Sequence, residues 1–254
     1  MKSRYFIKSF AICAFTLVST SANAVEIQVP YAFIDRFPEI AKNLGFEPGT
    51  RLSIGALVLP GDSPIASVMI KNLDTGETLT ATSAESMSNI FAEGKKRPIL
   101  WDVTPMPAFD AAKHTGVWEV TVKDEKGNEA IAKTHNIDKV AEMPFLEGFS
   151  ATGNPLSPTI TWSAPSEKDI PAGCDTEYRV RLLKHSDTQL HRSKALKEMK
   201  YAVPEGILKN DDMPDTYVRV EFTCADQDDK DYAAPVETRS ETFVPLKALV
   251  SGSN

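Results

Sequence analysis

Cysteine is scarce in this 254-residue chain, which holds three: Cys13, Cys174 and Cys224. None is spaced as Cys-x-x-Cys, which excludes the usual dithiol redox centre. The four histidines form no His-Glu-x-x-His, so a helix-borne zinc protease site is excluded as well. There is no Gly-x-Ser-x-Gly elbow and no glycine-rich phosphate loop, which removes the nucleophile-elbow hydrolases and the P-loop enzymes. No apolar run reaches the roughly 20 residues that cross a bilayer as a helix. Low-complexity tracts are missing too. With 42% hydrophobic residues, the chain has the aliphatic content of a folded protein rather than a disordered, solvating one.

What is there begins with a leader pattern. Lys2, Arg4 and Lys8 precede a short apolar stretch over 10–18, and Ala22-Asn23-Ala24 has the small-x-small form that a signal peptidase reads. Cys13 lies inside the apolar stretch behind Ile12, which is too large for a lipoprotein signal. The expectation is a signal peptide over 1–24, a mature chain starting at Val25, and a periplasmic or secreted location. The tail 251–254 is polar and offers no second anchor. Three of the 28 cations sit in the leader, so its loss takes the net charge from −7 to −10. Such a chain is repelled by phosphate backbones and anionic lipid, which argues against nucleic-acid or membrane-surface partners.

About 230 residues then suffice for two domains of roughly 100 each. Ile34, Phe37, Ile40, Ala41 and Leu44 recur at helical spacing and Gly45 follows them. With Pro38 natural in a first turn, the spacing predicts a short helix starting near Phe37, within an N-terminal segment 25–48. From Thr50 the period changes to two. Ile54, Ala56 and Val58 share one phase, Val68-Met69-Ile70 runs into the turn residues Asn72-Leu73-Asp74-Thr75-Gly76, and Trp118, Val120 and Val122 alternate with Glu119, Thr121 and Lys123. Asp124 to Asn128 turns the chain into a return strand over 130–134, an antiparallel hairpin. Residues 83–96 read either as a short helix or as a long loop. The first β domain spans 49–140, a linker 141–144 carries Met143 and Pro144, and a second β domain spans 145–250. Its seven short strand-like runs, among them Pro158 to Trp162, Tyr178 to Leu183 and Tyr217 to Cys224, are separated by turn-rich loops.

The run Gly116-Val117-Trp118-Glu119-Val120-Thr121-Val122-Lys123-Asp124 with Gly127-Asn128-Glu129-Ala130 resembles the last hairpin of bacterial immunoglobulin-like domains. Over most of 145–246 the strand order resembles a fibronectin type III domain: Pro158-x-Ile160-x-Trp162 is similar to its second strand, and Tyr201 to Leu208 with Pro214 to Val220 to its fifth and sixth. Tyr217 departs from the pattern, being out of phase with Val218 and Val220. The resemblance implies an all-β protein of two tandem β-sandwiches with a short N-terminal helix, a fold type that hosts many functions. It also makes the third and sixth strands of the second domain antiparallel neighbours. Cys174 then meets Cys224 at one pole, and an exported chain with one cysteine pair favours a structural disulfide over two free thiols.

That pole gathers acids: Glu167, Asp169 and Asp175 around Cys174, and Asp226, Asp228, Asp229 and Asp231 after Cys224. Carboxylates in that number suit either a solvated loop or a Ca²⁺ ion, which takes six to eight oxygens. No EF-hand-like spacing is present, which favours the first, and no other cofactor is implied. The histidine pair His185 and His191 is too small a set for a metal. Trp118 and Trp162 lie in inward phases and belong to cores. Trp101, flanked by Pro98, Pro105 and Pro107, is the tryptophan with a choice between core packing and an exposed platform for sugar. No catalytic set assembles. The expectation is a non-catalytic binding module for a protein or polysaccharide of the cell envelope or host surface, the alternatives being a hydrolase of envelope polymers and a periplasmic assembly chaperone.

Overall fold

The structure is a computed structural model, and it describes residues 24–83, 98–137, 140, 142–184, 188–226 and 236–251. Its first lobe holds β1 (Glu26–Phe37), β2 (Gly49–Leu59), β3 (Ile65–Asn72), β4 (Thr78–Ser83), β5 (Ile99–Asp102), β6 (Trp118–Asp124) and β7 (Glu129–Lys133). The second holds β8 (Ser150–Thr152), β9 (Thr159–Thr161), β10 (Cys174–Leu183), β11 (Gln189–Arg192), β12 (Lys200–Ala202), β13 (Tyr217–Asp226) and β14 (Val236–Pro245). The protein is mostly β, as the alternating patterns predict.

In the first lobe the apolar phases meet: Leu52, Ile54, Ala56 and Val58 of β2 pack with Val68 and Ile70 of β3 and with Trp118, Val120 and Val122 of β6. The expected hairpin is present, with β6 and β7 in register from Lys123–Glu129 to Glu119–Lys133. Its turn is held by Asp124 Oδ1, which accepts the N–H groups of Lys126 and Asn128 at 2.9 and 2.8 Å. In the second lobe a three-stranded sheet, β12-β9-β8, covers one face of β10 and β13. Ile160, Trp162, Val180, Leu182, Val218, Val220 and Phe222 fill the space between. Tyr217 keeps the out-of-phase orientation noted from the sequence. No bulge interrupts β13 against β10, and the ring packs on the opposite face from Val218 and Val220.

The junction differs from the expectation of free-standing tandem sandwiches. Residues 26–37 form a strand rather than part of a helical segment, and the helix follows as a 3-10 turn, Glu39–Leu44, ended by Gly45 in the left-handed region at φ 82°. The apolar residues of 31–46 mix two periods: Ala32 and Ile34 alternate along β1 into the first core, whereas Phe37, Ala41 and Leu44 follow a helical spacing into a third cluster. Strand β1 pairs antiparallel with β2 and parallel with β14, from Ala32–Val236 to Arg36–Ser240. It thereby covers the edge of β14 that would otherwise present unpaired backbone groups. One eleven-stranded sheet results, in the order β11-β10-β13-β14-β1-β2-β5-β4-β3-β6-β7.

Met143 and Pro144, expected in a linker, are pinned to this seam. The Met143 carbonyl accepts from Arg36 at 3.1 Å and the Pro144 carbonyl from Ser240 Oγ at 2.6 Å, while Leu146 N–H donates to Thr242 Oγ1 at 2.9 Å. Arg36 also lies over the Phe145 ring, 4.6 Å from its centroid. Short side chains on β14 (Ser240, Thr242) leave room for the connecting chain to lie on the sheet and satisfy its polar groups there.

Candidate functional site

The seam has a second face, and it is polar. Cross-strand partners lie on the same side of a sheet. The register Arg192–Arg181–Arg219 across β11, β10 and β13, Glu221–Glu241 across β13 and β14, and Arg239–Asp35 across β14 and β1 therefore sets these groups on one surface. It is the surface opposite the second core, yet it is buried: Glu221 and Glu241 are wholly inaccessible, and Asp35, Arg181, Arg219 and Arg239 nearly so.

The charges form ion pairs with one another, although both Glu221 oxygens, Asp35 Oδ1 and Arg181 Nε have no hydrogen-bond partner. Arg219 donates from Nε and from its terminal amino group to both oxygens of Glu241 at 2.7 Å, the bidentate geometry that makes guanidinium–carboxylate pairs strong. Glu221 is contacted by Arg181, by Arg219 at 3.4 Å and by Arg192 at 4.0 Å. Arg239 sits 2.5 Å from Glu237 and 4.0 Å from Asp35. Aromatic rings close the end nearest the 3-10 turn: Phe37, Phe46 and Phe243 surround the Arg219 guanidinium with centroids at 5.9, 5.3 and 5.7 Å, and Phe33 lies 3.5 Å from Arg239. Such rings attract a desolvated cation through their π faces.

Protonation follows from this packing. Burial alone pushes Glu221 up, but the charges of Arg181, Arg219, Arg239 and Arg192 outweigh it and hold the carboxyl well below the ordinary range. Burial pulls Arg181 down to about 9, against the pull of Glu221. Burial raises Asp35 to about 7, with Arg239 opposing the rise and Glu241 adding to it.

On the same face, in the first lobe, stands a half-buried acid of another kind, with one carboxylate oxygen inaccessible to water. Asp102 of β5 accepts hydrogen bonds from the Tyr31 hydroxyl and from Ser53 Oγ, the latter at 3.3 Å on Oδ2, while its Oδ1 is buried without a hydrogen-bond partner. Burial raises it to about 7 despite these bonds. Tyr31 is likewise pushed up by burial and by the Asp102 charge. Gly55 lies between Tyr31 and Asp102 in the register and makes the contact feasible. A Cβ there would stand 2.0 Å from the Trp101 carbonyl oxygen and 2.7 Å from the Tyr31 hydroxyl. Gly55→Ala is therefore expected to cost roughly 1–3 kcal/mol through forced backbone movement. A lowered urea midpoint checks this, and an unchanged midpoint refutes it.

The residues singled out from sequence are placed as follows. Cys174 and Cys224 form a disulfide with a Cα–Cα distance of 5.0 Å, joining adjacent antiparallel strands β10 and β13. Glu167 and Asp169 are exposed on a 3-10 turn, and Asp175 is exposed and paired with Lys197 at 2.6 Å. Asp226 lies opposite Cys174 in the strand register. Asp228, Asp229 and Asp231 lie outside the described residues, as does His185. Among the described residues no group of three or more His, Cys, Asp or Glu side chains is placed to hold a metal ion. The nearest partner of His191 is Tyr201, with Nε2 2.5 Å from the hydroxyl. Trp101 lies opposite Ala56 and packs half-buried against the first core, while Trp118 and Trp162 are core residues. The buried charges escaped sequence reasoning, although the signal was there. Arg179-x-Arg181, Arg219-x-Glu221 and Glu237-x-Arg239-x-Glu241 place complementary charges in the phase opposite the apolar one, on successive strands.

No family model matches the chain. No curated protein matches it either. Among solved structures, a chain titled "Biofilm associated protein - BSP domain" aligns with 84% of this chain and 29% of its own length, at 11% identity and a TM-score of 0.24. This chain thus spans less than a third of that protein, and a likeness at that TM-score carries no inference. Among the described residues no helix is long and apolar enough to cross a membrane.

Proposed function

We propose that the chain is an exported, non-catalytic interaction module of the periplasm or cell surface, with a protein or a glycan as its ligand. The observation that carries this reading is the fate of the densest ionisable cluster. Its guanidinium and carboxylate groups are spent on one another between β10, β13, β14 and β1. They brace a sheet shared by two lobes instead of facing a substrate. The Cys174–Cys224 bridge supports an oxidising compartment. A stiff two-lobed scaffold of this sort presents its loops and edge strands in fixed relation, which suits binding.

A hydrolase of envelope polymers is the second reading, because Asp102 has the protonation behaviour of a general acid at neutral pH. One experiment separates the two. The purified protein and its Asp102→Asn variant are incubated with purified envelope polysaccharides and envelope proteins, and both binding and ligand length are followed. Saturable binding that leaves the ligand intact and survives the substitution supports the module. Ligand shortening that the substitution abolishes overturns it in favour of the hydrolase, and the absence of saturable binding to any ligand overturns it outright.

A further inference from the structure

The far end of the large sheet carries a pattern unrelated to the seam. Among the described residues strand β7 is hydrogen-bonded to β6 and to no other strand, so it forms a backbone edge of the sheet, with β1 passing near it. Asp124 N–H donates to the Asn128 carbonyl and Thr134 N–H to the Trp118 carbonyl. Antiparallel ladders alternate, so the bonds between β6 and β7 fall at the even-numbered residues. The backbone groups of Glu129, Ile131 and Lys133 therefore point to the open edge. The side chains of the same residues lie on the outer face, all exposed, Ile131 by 56%.

Opposite charges thus stand two residues to either side of an exposed apolar centre. A parallel, in-register copy of β7 would set Glu129 on Glu129 and Lys133 on Lys133. An antiparallel copy related by a two-fold axis at Ile131 sets each Glu129 against a Lys133, Ile131 against Ile131, and joins the open backbone groups at all of these positions. The complementarity continues inward. Lys71 lies opposite Glu119 and Glu119 opposite Lys133, while Glu129 is paired with Lys123 at 2.9 Å. Across the axis the row reads Lys71, Glu119, Lys133, then Glu129 and Lys123 of the second copy, alternating in sign at every step. The neighbouring row holds Met69, 45% exposed, then Thr121 and Ile131. It would meet its own image as one apolar stripe on the joined sheets. Isologous interfaces require this kind of self-complementarity.

We infer that the partner of the β7 edge is a second copy of this chain, docked antiparallel about a two-fold axis at Ile131 so that the two large sheets become one. The inference is independent of the ligand class argued above. Its test is sedimentation equilibrium on the purified protein across micromolar concentrations. The wild type is expected to sediment as a dimer. Glu129→Lys alone and Lys133→Glu alone place like charges against each other across the axis, and each is expected to be monomeric. An equimolar mixture of the two single variants restores both pairs and should sediment as a dimer. So should the double variant, even though both substitutions reverse the pairings with Lys123 and Glu119 inside the chain. A role confined to those internal pairs predicts the opposite, with the double variant no better than the singles. Ile131→Arg, at a position exposed enough to accept it without unfolding, should also be monomeric. A monomeric wild type, single variants that remain dimeric, or a mixture that fails to associate would each overturn the proposal.

Discussion

Replacing Glu221 with alanine is expected to lower stability by roughly 3–5 kcal/mol, the range for removing one partner of a buried ion pair. The cost does not come from the loss of attraction alone. Glu221 is fully buried and is the acid against which Arg181 and Arg192 are balanced, and Arg219 shares it. Arg219 retains its bidentate partner Glu241, but Arg181 and Arg192 are left with no carboxylate in contact. Arg181 must then keep an uncompensated charge in the interior, give up a proton or drag the sheet open to water, whereas Arg192, with 29% of its side chain exposed, can turn toward solvent. Arg181 is already held down to about 9 with Glu221 present. Glu221→Gln keeps the volume while removing the charge, so it should show most of the same loss. A Glu221→Gln variant as stable as the wild type would mean that packing, not charge, governs the site. An exposed pair such as Glu39–Lys42 supplies the contrast: solvent screens it, and its removal should not move the urea midpoint measurably.

The range of legibility in the sequence follows from how local each cause is. The hairpin at Trp118 to Lys133 announces itself through alternation and through Asp124, Gly127 and Asn128, whose turn chemistry acts within five residues. The disulfide register was legible because only two cysteines lie beyond residue 24 and each borders a strand-like run. Strand β1 was harder. Five of its ladder partners lie on β14, at the other end of the chain, and its apolar residues run into a 3-10 turn whose spacing hides the period of two. The charges were visible as a pattern, but their burial was not, for a different reason. Alternation tells which side of Arg219 and Glu221 opposes the apolar core, but not whether that other side meets water. Gly55 has no sequence signature either. Its necessity appears once β1, β2 and β5 are in register and Tyr31 and the Trp101 carbonyl converge on it.

Stability should also fall as pH rises through neutrality, and Asp102→Asn should remove much of that fall. Asp102 titrates at about 7 in the folded protein, against about 3.9 in an unfolded chain. The folded state therefore binds the proton more tightly. The stabilisation this represents is complete below the unfolded value, declines as pH rises from about 4, and is gone above the folded value near 7. The difference between those two values corresponds to about 4 kcal/mol. The groups around Asp102 offset only part of the cost of burying its anion: Tyr31 and Ser53 donate to it, and burial still outweighs them. Asp35, raised by burial to about 7 beside Arg239 and Glu241, acts in the same direction. Glu221 acts in the opposite one: its folded value is depressed, so its contribution is present above the ordinary carboxylate range and is lost as pH falls through it. The maximum of stability should accordingly sit on the acid side of neutrality. Asparagine at 102 is close in shape to the neutral acid and cannot ionise. The variant should match the wild type within experimental scatter near pH 3, where the acid is mostly neutral in both states, and exceed it by several kcal/mol at pH 8. Urea midpoints at the two pH values decide the matter. Parallel profiles for wild type and variant would show that Asp102 is solvated when it ionises and that the buried acid does not control the pH response.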